Sequence, residues 1–461
     1  MIFFLLLSTS IGALLLALHW GYIQPRRDGL FLLFFVQVVA YLHVGPMFDT
    51  LHASSANPST YLVISSLALV LFELPLLLAY AWTVGKIRKN SATSTVLRTV
   101  STAHDLLILF SIGLTCAFCL VSLRTGTLFL WYGNQENLRR LVLMSTTDFG
   151  AYRLFVLCGY FLVGLLAVIA MNDKRTNRWW VWSGFATVTA VYLLRNVLNT
   201  RSLTVLTIAF PIAAAHIVYR SNDGSRKKKL PLWKWAFLCL LAIYGAKVAS
   251  NTRVLYGEIG HISPIMFDPL FRLEGRTDPN INAWFHLNGI DLMAHIAAGV
   301  ESSDYAWGRA WTATAYVTIV QFFDREAVEE LKTSFLASPK RYLMLQYTSL
   351  AGVDYPSCML TDIYGNFGPM GFLPVGLLFG YLLGKATGSL WAPKSGRAIV
   401  LALFAYSLVA QFEAEFSTIA IGWLRVLPVL MPVLLLNPLR VVRLSPSAIT
   451  SSGGAHVTVL S

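Results

Sequence analysis

The stretch STYLVISSLALVLFELPLLLAYAWTV, residues 59–84, contains a single charged side chain, Glu73. A run of roughly 17 to 25 mostly apolar residues is the length that a helix needs to cross the hydrocarbon core of a bilayer. The stretch therefore predicts a membrane-spanning helix. A charge at that depth is costly and usually faces a cavity or a partner, so Glu73 predicts a buried polar contact whose partner the sequence does not identify.

Similar apolar runs recur along nearly the whole chain. They lie near residues 2–23, 29–45, 105–121, 151–171, 179–194, 202–219, 235–249, 366–384, 397–411 and 417–437. The composition agrees with them, because 56% of the 461 residues are hydrophobic and only 13% are charged, unlike a soluble domain of this length. The first run lacks a positively charged segment and a cleavage site, so we interpret it as a span rather than a signal peptide.

The sequence therefore predicts an all-α integral membrane protein with about eleven transmembrane helices. We divide it into a bundle of eight spans (1–249), a large extracytoplasmic loop (250–365), a bundle of three spans (366–437) and a tail (438–461). The loop carries 13 acidic and 8 basic residues and shows helix-like periods, so we expect it to be helical and folded on the membrane.

The positions of the basic residues explain the net charge of +13 without nucleic acid. Lys and Arg concentrate in the short loops 25–28, 86–98, 172–178, 220–234 and 385–397, and in the tail. With eleven spans these segments share one side, whereas loops 46–58 and 412–416 contain no Lys or Arg. The positive-inside rule then places the N-terminus outside and the C-terminus in the cytoplasm.

Arginines fall on the predicted outer side, where that rule disfavours them, and five of these flank the apolar runs or lie early in the large loop. They are Arg195, Arg201, Arg253, Arg272 and Arg276. Guanidinium groups match phosphate oxygens bidentately and stay charged, so the set predicts a site for a lipid-linked pyrophosphate. The alternatives are that Arg195 and Arg201 reach lipid phosphates at the interface and that Arg272 and Arg276 pair with nearby acids.

The stretch YPSCMLTDIYGNFGPMGFLPVGLLFGYLLG, residues 355–384, lies where the large loop meets the ninth span. It resembles the corresponding segment of the Wzy-type polymerases of bacterial O-antigen and capsule repeat units. The positions that carry the resemblance are Pro356, Ser357, Tyr364, Asn366, Phe367, Gly368 and Gly371. The span count, the large outer loop and the hairpin NTRSLTVL, residues 199–206, also resemble that family, whereas QFFDREAVEELK, residues 321–332, departs from it.

The resemblance implies a glycosyltransferase of the bacterial inner membrane. It would transfer a growing glycan from undecaprenyl pyrophosphate to the terminal sugar of another lipid-linked repeat on the periplasmic face, with membrane lipids and a possible chain-length regulator as partners. It needs no cofactor, and since arginines stabilise the leaving pyrophosphate we expect metal independence. Tyr364 and Asn366 offer a stacking surface and hydrogen bonds for sugar.

The acceptor hydroxyl needs a group that orients or deprotonates it. The candidates are Asp362, beside the motif, and the pair Asp291 and His295, whose i,i+4 spacing lets a carboxylate orient an imidazole. His261 and His286 stay open as further candidates. The leading alternative function is a flippase or transporter for lipid-linked oligosaccharide, and an O-antigen ligase shares almost every feature.

Overall fold

The computed structural model describes fifteen parts of the chain. They are 2–47, 58–89, 95–99, 101–127, 144–172, 179–197, 203–222, 263–267, 289–300, 304–320, 343, 346–347, 358–409, 416–443 and 458–459. Within them lie fourteen α-helices and three short strands.

The helices of the N-terminal half are α1 (Ile2–His19), α2 (Pro25–Val39), α3 (Pro58–Ala68), α4 (Leu74–Lys89), α5 (Ser101–Thr125), α6 (Thr146–Asn172), α7 (Trp179–Val197) and α8 (Leu203–Asn222). Those of the C-terminal half are α9 (Asp291–Val300), α10 (Arg309–Val320), α11 (Met359–Phe367), α12 (Phe372–Trp391), α13 (Gly396–Val409) and α14 (Phe416–Leu436). Wider π-helical turns follow α2 at Ala40–Val44 and join α3 to α4 at Leu69–Glu73.

Four helical stretches among the described residues are long and apolar enough to cross a membrane. They are Arg27–Met47, Val63–Arg88, Ala103–Thr125 and Pro369–Trp391. A fifth results if Gly150–Val156 and Cys158–Asn172, bent by 51°, form one broken span. The described chain is therefore almost entirely helical, as predicted for an α-helical membrane protein, and the total of eleven spans stays a prediction.

Ten of the eleven predicted runs coincide with described helices, and the run 235–249 lies outside the described residues. The main difference is at the ninth run, which we expected to begin at residue 366. Residues 366 and 367 instead end α11, because Gly368 adopts a φ of 64° that interrupts the helix before Pro369. The spanning helix α12 begins only at Phe372, after a 3₁₀ turn at Pro369–Gly371.

The chain divides into two compact units. The first contains Met1–Ser91, Gly275–Gly388 and Gln411–Leu424. The second contains Ala92–Glu274, Ser389–Ala410 and Arg425–Ser461.

In the first unit, α12 presents four glycines at i+4 spacing, Gly376, Gly380, Gly384 and Gly388. Side-chain atoms built at these positions would collide with the helix that contains Glu73: a Cβ at Gly376 would lie 2.5 Å from the Phe72 carbonyl oxygen. Small residues repeated in this way let two helix backbones approach closely, which is how helices associate where water does not drive packing. This glycine stripe therefore fixes α12 against α4.

A buried ion pair holds the start of α2 against α4. Arg27 and Asp28 are joined at 2.7 Å, and Asp28 also accepts a 2.8 Å hydrogen bond from the Tyr80 hydroxyl. The Tyr80 ring stacks on Phe31 with centroids 3.6 Å apart. Arg27, which we counted among the basic loop residues, is thus buried and neutralised by its neighbour.

The second unit packs α5, α6, α7, α8 and α13 together, and it contains an exception to the all-α prediction. Three short antiparallel strands, β1 (Thr95–Thr99), β2 (Leu439–Arg443) and β3 (Thr458–Val459), form a sheet in that order. Arg98 pairs with Arg440 across the first ladder. The sheet therefore joins the loop 86–98 to the tail, and their location on one side of the membrane stays a prediction.

Candidate functional site

The short helix α11 lies immediately before the spanning helix α12 and is buried along most of its length. Cys358 caps its first turn, and the Thr361 hydroxyl accepts a hydrogen bond from the Cys358 amide at 3.2 Å. The same hydroxyl donates to the Gly289 carbonyl at 3.3 Å, and the Gly289 amide donates to the Tyr41 carbonyl at 3.2 Å. Hydrogen bonds therefore connect α11, the start of α9 and the π-helical turn after α2.

Asp362 and Asn366 form the polar centre of α11. Asp362 accepts hydrogen bonds at its Oδ1 from the Trp311 indole and from the Asn366 amide, both at 2.8 Å. The Asn366 amide nitrogen also donates to the Asp362 carbonyl at 2.9 Å. Both side chains are fully buried, yet Asn366 Oδ1 has no hydrogen-bond partner among the described residues. A buried acceptor of this kind requires a donor that the described chain does not supply.

A strained loop covers the C-terminal end of α11. The amides of Ala306 and Trp307 donate to the carbonyls of Gly365 and Asn366 at 3.0 and 2.8 Å. Trp307 then adopts a φ of 47°, which is unusual for a bulky side chain, and its indole is 68% exposed. Because such backbone conformations persist only where the surroundings enforce them, this loop resembles those found at functional sites.

Aromatic side chains surround this polar centre. Trp311 contacts Phe367 and Phe416 with ring centroids 4.9 Å apart in each case. Tyr305 contacts Tyr364 edge to face at 6.0 Å. We call the set Tyr305, Trp307, Trp311, Tyr364, Phe367 and Phe416 the aromatic cluster. Tyr364 is buried, Trp307 is exposed and the other four residues are partly exposed.

Arg309 begins α10 next to the exposed part of the aromatic cluster. The residue is exposed, and its guanidinium group makes no hydrogen bond or ion pair in the part of the chain that the structure describes. A positive charge at the N-terminus of a twelve-residue helix adds to the positive end of the helix dipole. The position therefore favours an anion.

Burial raises the pKa of the Tyr364 phenol, and the neighbouring Tyr305 raises it further through its charge and a hydrogen bond. Tyr364 is consequently a neutral phenol at neutral pH. A neutral phenol can donate a hydrogen bond and stack but cannot serve as a base, and the predicted role of Tyr364 in binding sugar stays a prediction.

The raised pKa of Tyr364 predicts how stability responds to alkali. The unfolded chain releases this proton near pH 10, whereas the folded chain keeps it, so the contribution is complete below about pH 10 and is lost as pH rises further. Tyr364→Phe should therefore flatten the loss of thermal stability above pH 10, measured by circular dichroism in detergent. Tyr381→Phe, in an exposed position on α12, is the matched control. Equal alkaline slopes for Tyr364→Phe and the unaltered protein would contradict the prediction.

The predicted pair Asp291 and His295 lies on one face of α9. Their closest charged atoms are 3.9 Å apart, with the Asp291 carboxylate nearly buried and the His295 side chain 26% exposed. The i,i+4 spacing brings the two side chains near each other, at a distance longer than a hydrogen bond, and the orienting role of Asp291 stays a prediction. This pair and α11 belong to the same compact unit.

The predicted arginine set is not assembled by the described residues. Arg195 belongs to the second compact unit, where it is buried and its guanidinium lies 5.9 Å from the centre of the Tyr152 ring. Arg201, Arg253, Arg272 and Arg276 lie outside the described residues, as do His261 and His286. These assignments stay predictions.

Sequence reasoning missed the contributions of Trp307, Arg309 and Trp311. They occur together in YAWGRAW, residues 305–311, a dense group of aromatics with a glycine and an arginine inside the predicted outer loop. That density was the available signal. Comparisons with protein-family models, with curated proteins and with solved structures find no match to this chain.

Proposed function

We propose that this chain polymerises oligosaccharide repeat units linked to undecaprenyl pyrophosphate, at the outer face of a bacterial inner membrane. The observation that carries the proposal is the buried Asn366 amide, held by Asp362, whose oxygen lacks a donor beside an aromatic cluster at the entrance to a spanning helix. A sugar hydroxyl supplies such a donor, and the exposed ring edges supply stacking surface. The apolar helices would hold the chain in the bilayer, where the lipid carrier lies.

The reaction requires that the anomeric carbon of the donor glycan exchange one oxygen for another. The bond from that carbon to the pyrophosphate oxygen breaks, a bond to the acceptor hydroxyl oxygen forms, and the hydroxyl proton passes to a base. The protein must stabilise the charge on the departing pyrophosphate and orient the acceptor. Neither task needs a metal ion, and metal independence remains part of the proposal.

Arg309 is the described residue best placed for the first task. It is exposed beside the aromatic cluster, and no described side chain neutralises it. A guanidinium group there would bind the pyrophosphate in two parallel hydrogen bonds. We propose that Arg309 supplements the predicted set of Arg195, Arg201, Arg253, Arg272 and Arg276.

The two candidate bases have different geometry. Asp362 is enclosed, and its Oδ1 is bonded to Trp311 and Asn366, which supports a role in positioning those two side chains. His295 is partly exposed above the Asp291 carboxylate, which supports transfer of the acceptor proton to its imidazole. We therefore propose His295 as the base, Asp291 as the residue that orients it, and Asp362 as a positioning residue.

The test uses the full chain in lipid with synthetic undecaprenyl-pyrophosphate repeat units and EDTA, followed by a gel for glycan ladders. We expect a ladder that survives chelation and falls on the order of 100-fold in Arg309→Gln, since one lost charge contact to the leaving group has that effect. Arg201→Ala should reduce it similarly. Arg124→Gln, which removes an exposed arginine paired with Asp148, is the matched control and should leave the ladder unchanged.

A transporter of lipid-linked oligosaccharide is the second candidate. The observation that favours it is the contact between Glu73 and His43 within apolar helices, because ionisable pairs at such depth often serve ion-coupled transport. Absence of any ladder, together with passage of labelled lipid-linked oligosaccharide across vesicles that contain the protein, would replace the polymerase with the transporter. A ladder in the unaltered protein that Arg309→Gln does not reduce would contradict the role of Arg309.

A further inference from the structure

Three polar side chains meet inside the apolar helices of the first unit. Glu73 accepts a hydrogen bond from the Ser10 hydroxyl at 2.5 Å on Oε2, and its Oε1 lies 2.9 Å from His43 Nε2. Glu73 and His43 are fully buried, and Ser10 is 1% exposed. The partner that the sequence left unidentified for Glu73 is therefore this pair of side chains.

Nothing described around the cluster neutralises a charge on Glu73. No Lys or Arg of the described chain contacts it, and its contacts are to Ser10 and His43. His43 Nδ1 is buried and has no partner among the described residues. Burying a carboxylate without a compensating positive charge costs a large free energy. The cluster therefore needs one positive charge, and a proton bound to Glu73 or His43 is the smallest that can supply it.

Both ionisable residues lie on π-helical turns. His43 belongs to the turn Ala40–Val44, and Glu73 ends the turn Leu69–Glu73. Such turns are rare in helices and occur frequently at functional sites. Both members of the buried pair therefore lie on such turns. This backbone feature supports a functional role independently of the hydrogen bonds.

We propose that Glu73 and His43 form an intramembrane proton-binding site. In the loaded state Oε1 carries the proton and donates it to His43 Nε2, Oε2 accepts from Ser10, and the imidazole keeps its hydrogen on Nδ1. This neutral arrangement separates no charge in a medium of low dielectric, unlike an ion pair. On release the proton leaves Oε1 and Glu73 becomes a carboxylate, while the imidazole hydrogen moves from Nδ1 to Nε2, which then donates to Oε1 across the same 2.9 Å contact.

The groups on the surrounding elements compete little for this proton. Besides Ser10 of α1, they are the Tyr41 hydroxyl on the same turn as His43, the buried Ser65 of α3, Arg27 and Asp28 of α2 with Tyr80 of α4, which bond to one another, and Asp291 and His295 of α9, which packs against α3. Asp291 and His295 are paired with each other. Glu73 and His43 thus remain the two groups that share it.

Infrared spectroscopy of the full chain in lipid nanodiscs tests the site without any glycan transfer. We expect a protonated carboxyl C=O absorption that Glu73→Gln abolishes. Ser10→Ala should move the same absorption to higher frequency, because Oε2 loses its hydrogen bond. Asp148→Asn, which deletes a carboxylate of a surface ion pair, should leave it in place.

The proposal fails if the folded protein lacks, at every pH, a protonated carboxyl absorption that depends on Glu73. It fails equally if the absorption does not shift in Ser10→Ala. The Ser10→Ala measurement therefore still tests the proposal if Glu73→Gln does not fold. Because neither measurement involves a glycan, failure of this site and failure of the polymerase proposal are distinguishable.

Discussion

Gly380→Ala is expected to lower the free energy of unfolding by about 1–3 kcal/mol, the usual cost of inserting a carbon into a packed interface. The added Cβ would lie 2.9 Å from the Ala79 Cβ and 3.0 Å from the Tyr80 amide nitrogen, and it would overlap the Leu76 carbonyl oxygen. Two of these atoms belong to the backbone of α4, so they cannot rotate away. The helices must separate along the glycine stripe.

The measurement is the unfolding of the full chain in mixed micelles of increasing denaturing detergent, followed by circular dichroism. Gly113→Ala is the matched control, because it adds the same Cβ to the apolar helix α5, where nothing lies within 4 Å of it. The control should unfold like the unaltered protein. If Gly380→Ala also did so, α12 and α4 would not be in contact as described.

The helices of this protein could be predicted from the sequence, and their partners could not. Run length and hydropathy are local properties, so the stretch 59–84 was sufficient to predict a helix. The approach of α12 to α4 depends on residues about 300 positions apart in the chain, such as Gly380 and Leu76. The glycines at i+4 spacing were visible, but the helix that they contact was not.

The same limit applies to the polar residues. Asp362, Tyr364 and Asn366 were predicted from one short segment, and they do lie together on α11. Trp311 donates to Asp362 from 51 positions earlier in the chain, and no local pattern connects the two. His43 is one of nine histidines, so its contact with Glu73 required the folded chain.

Asp362→Ala is expected to destabilise the first unit by about 2–4 kcal/mol and to eliminate the glycan ladder, since each buried donor left without an acceptor costs about 1–3 kcal/mol. The two donors are the Trp311 indole and the Asn366 amide. Asp362→Asn keeps an oxygen at the same place, so it should recover at least half of the lost stability. Detergent unfolding and the ladder assay measure both effects.

The comparison of the two variants separates positioning from catalysis. If Asp362 positions Asn366 and Trp311, Asp362→Asn should retain a measurable ladder, because a neutral amide oxygen still accepts both hydrogen bonds. If Asp362 were the base, Asp362→Asn would fold with near-normal stability and form no ladder, whereas His295→Gln would still form one. Asp148→Ala, at a surface ion pair, controls for the loss of a carboxylate as such. The enclosed geometry of Asp362 leads us to expect the first result.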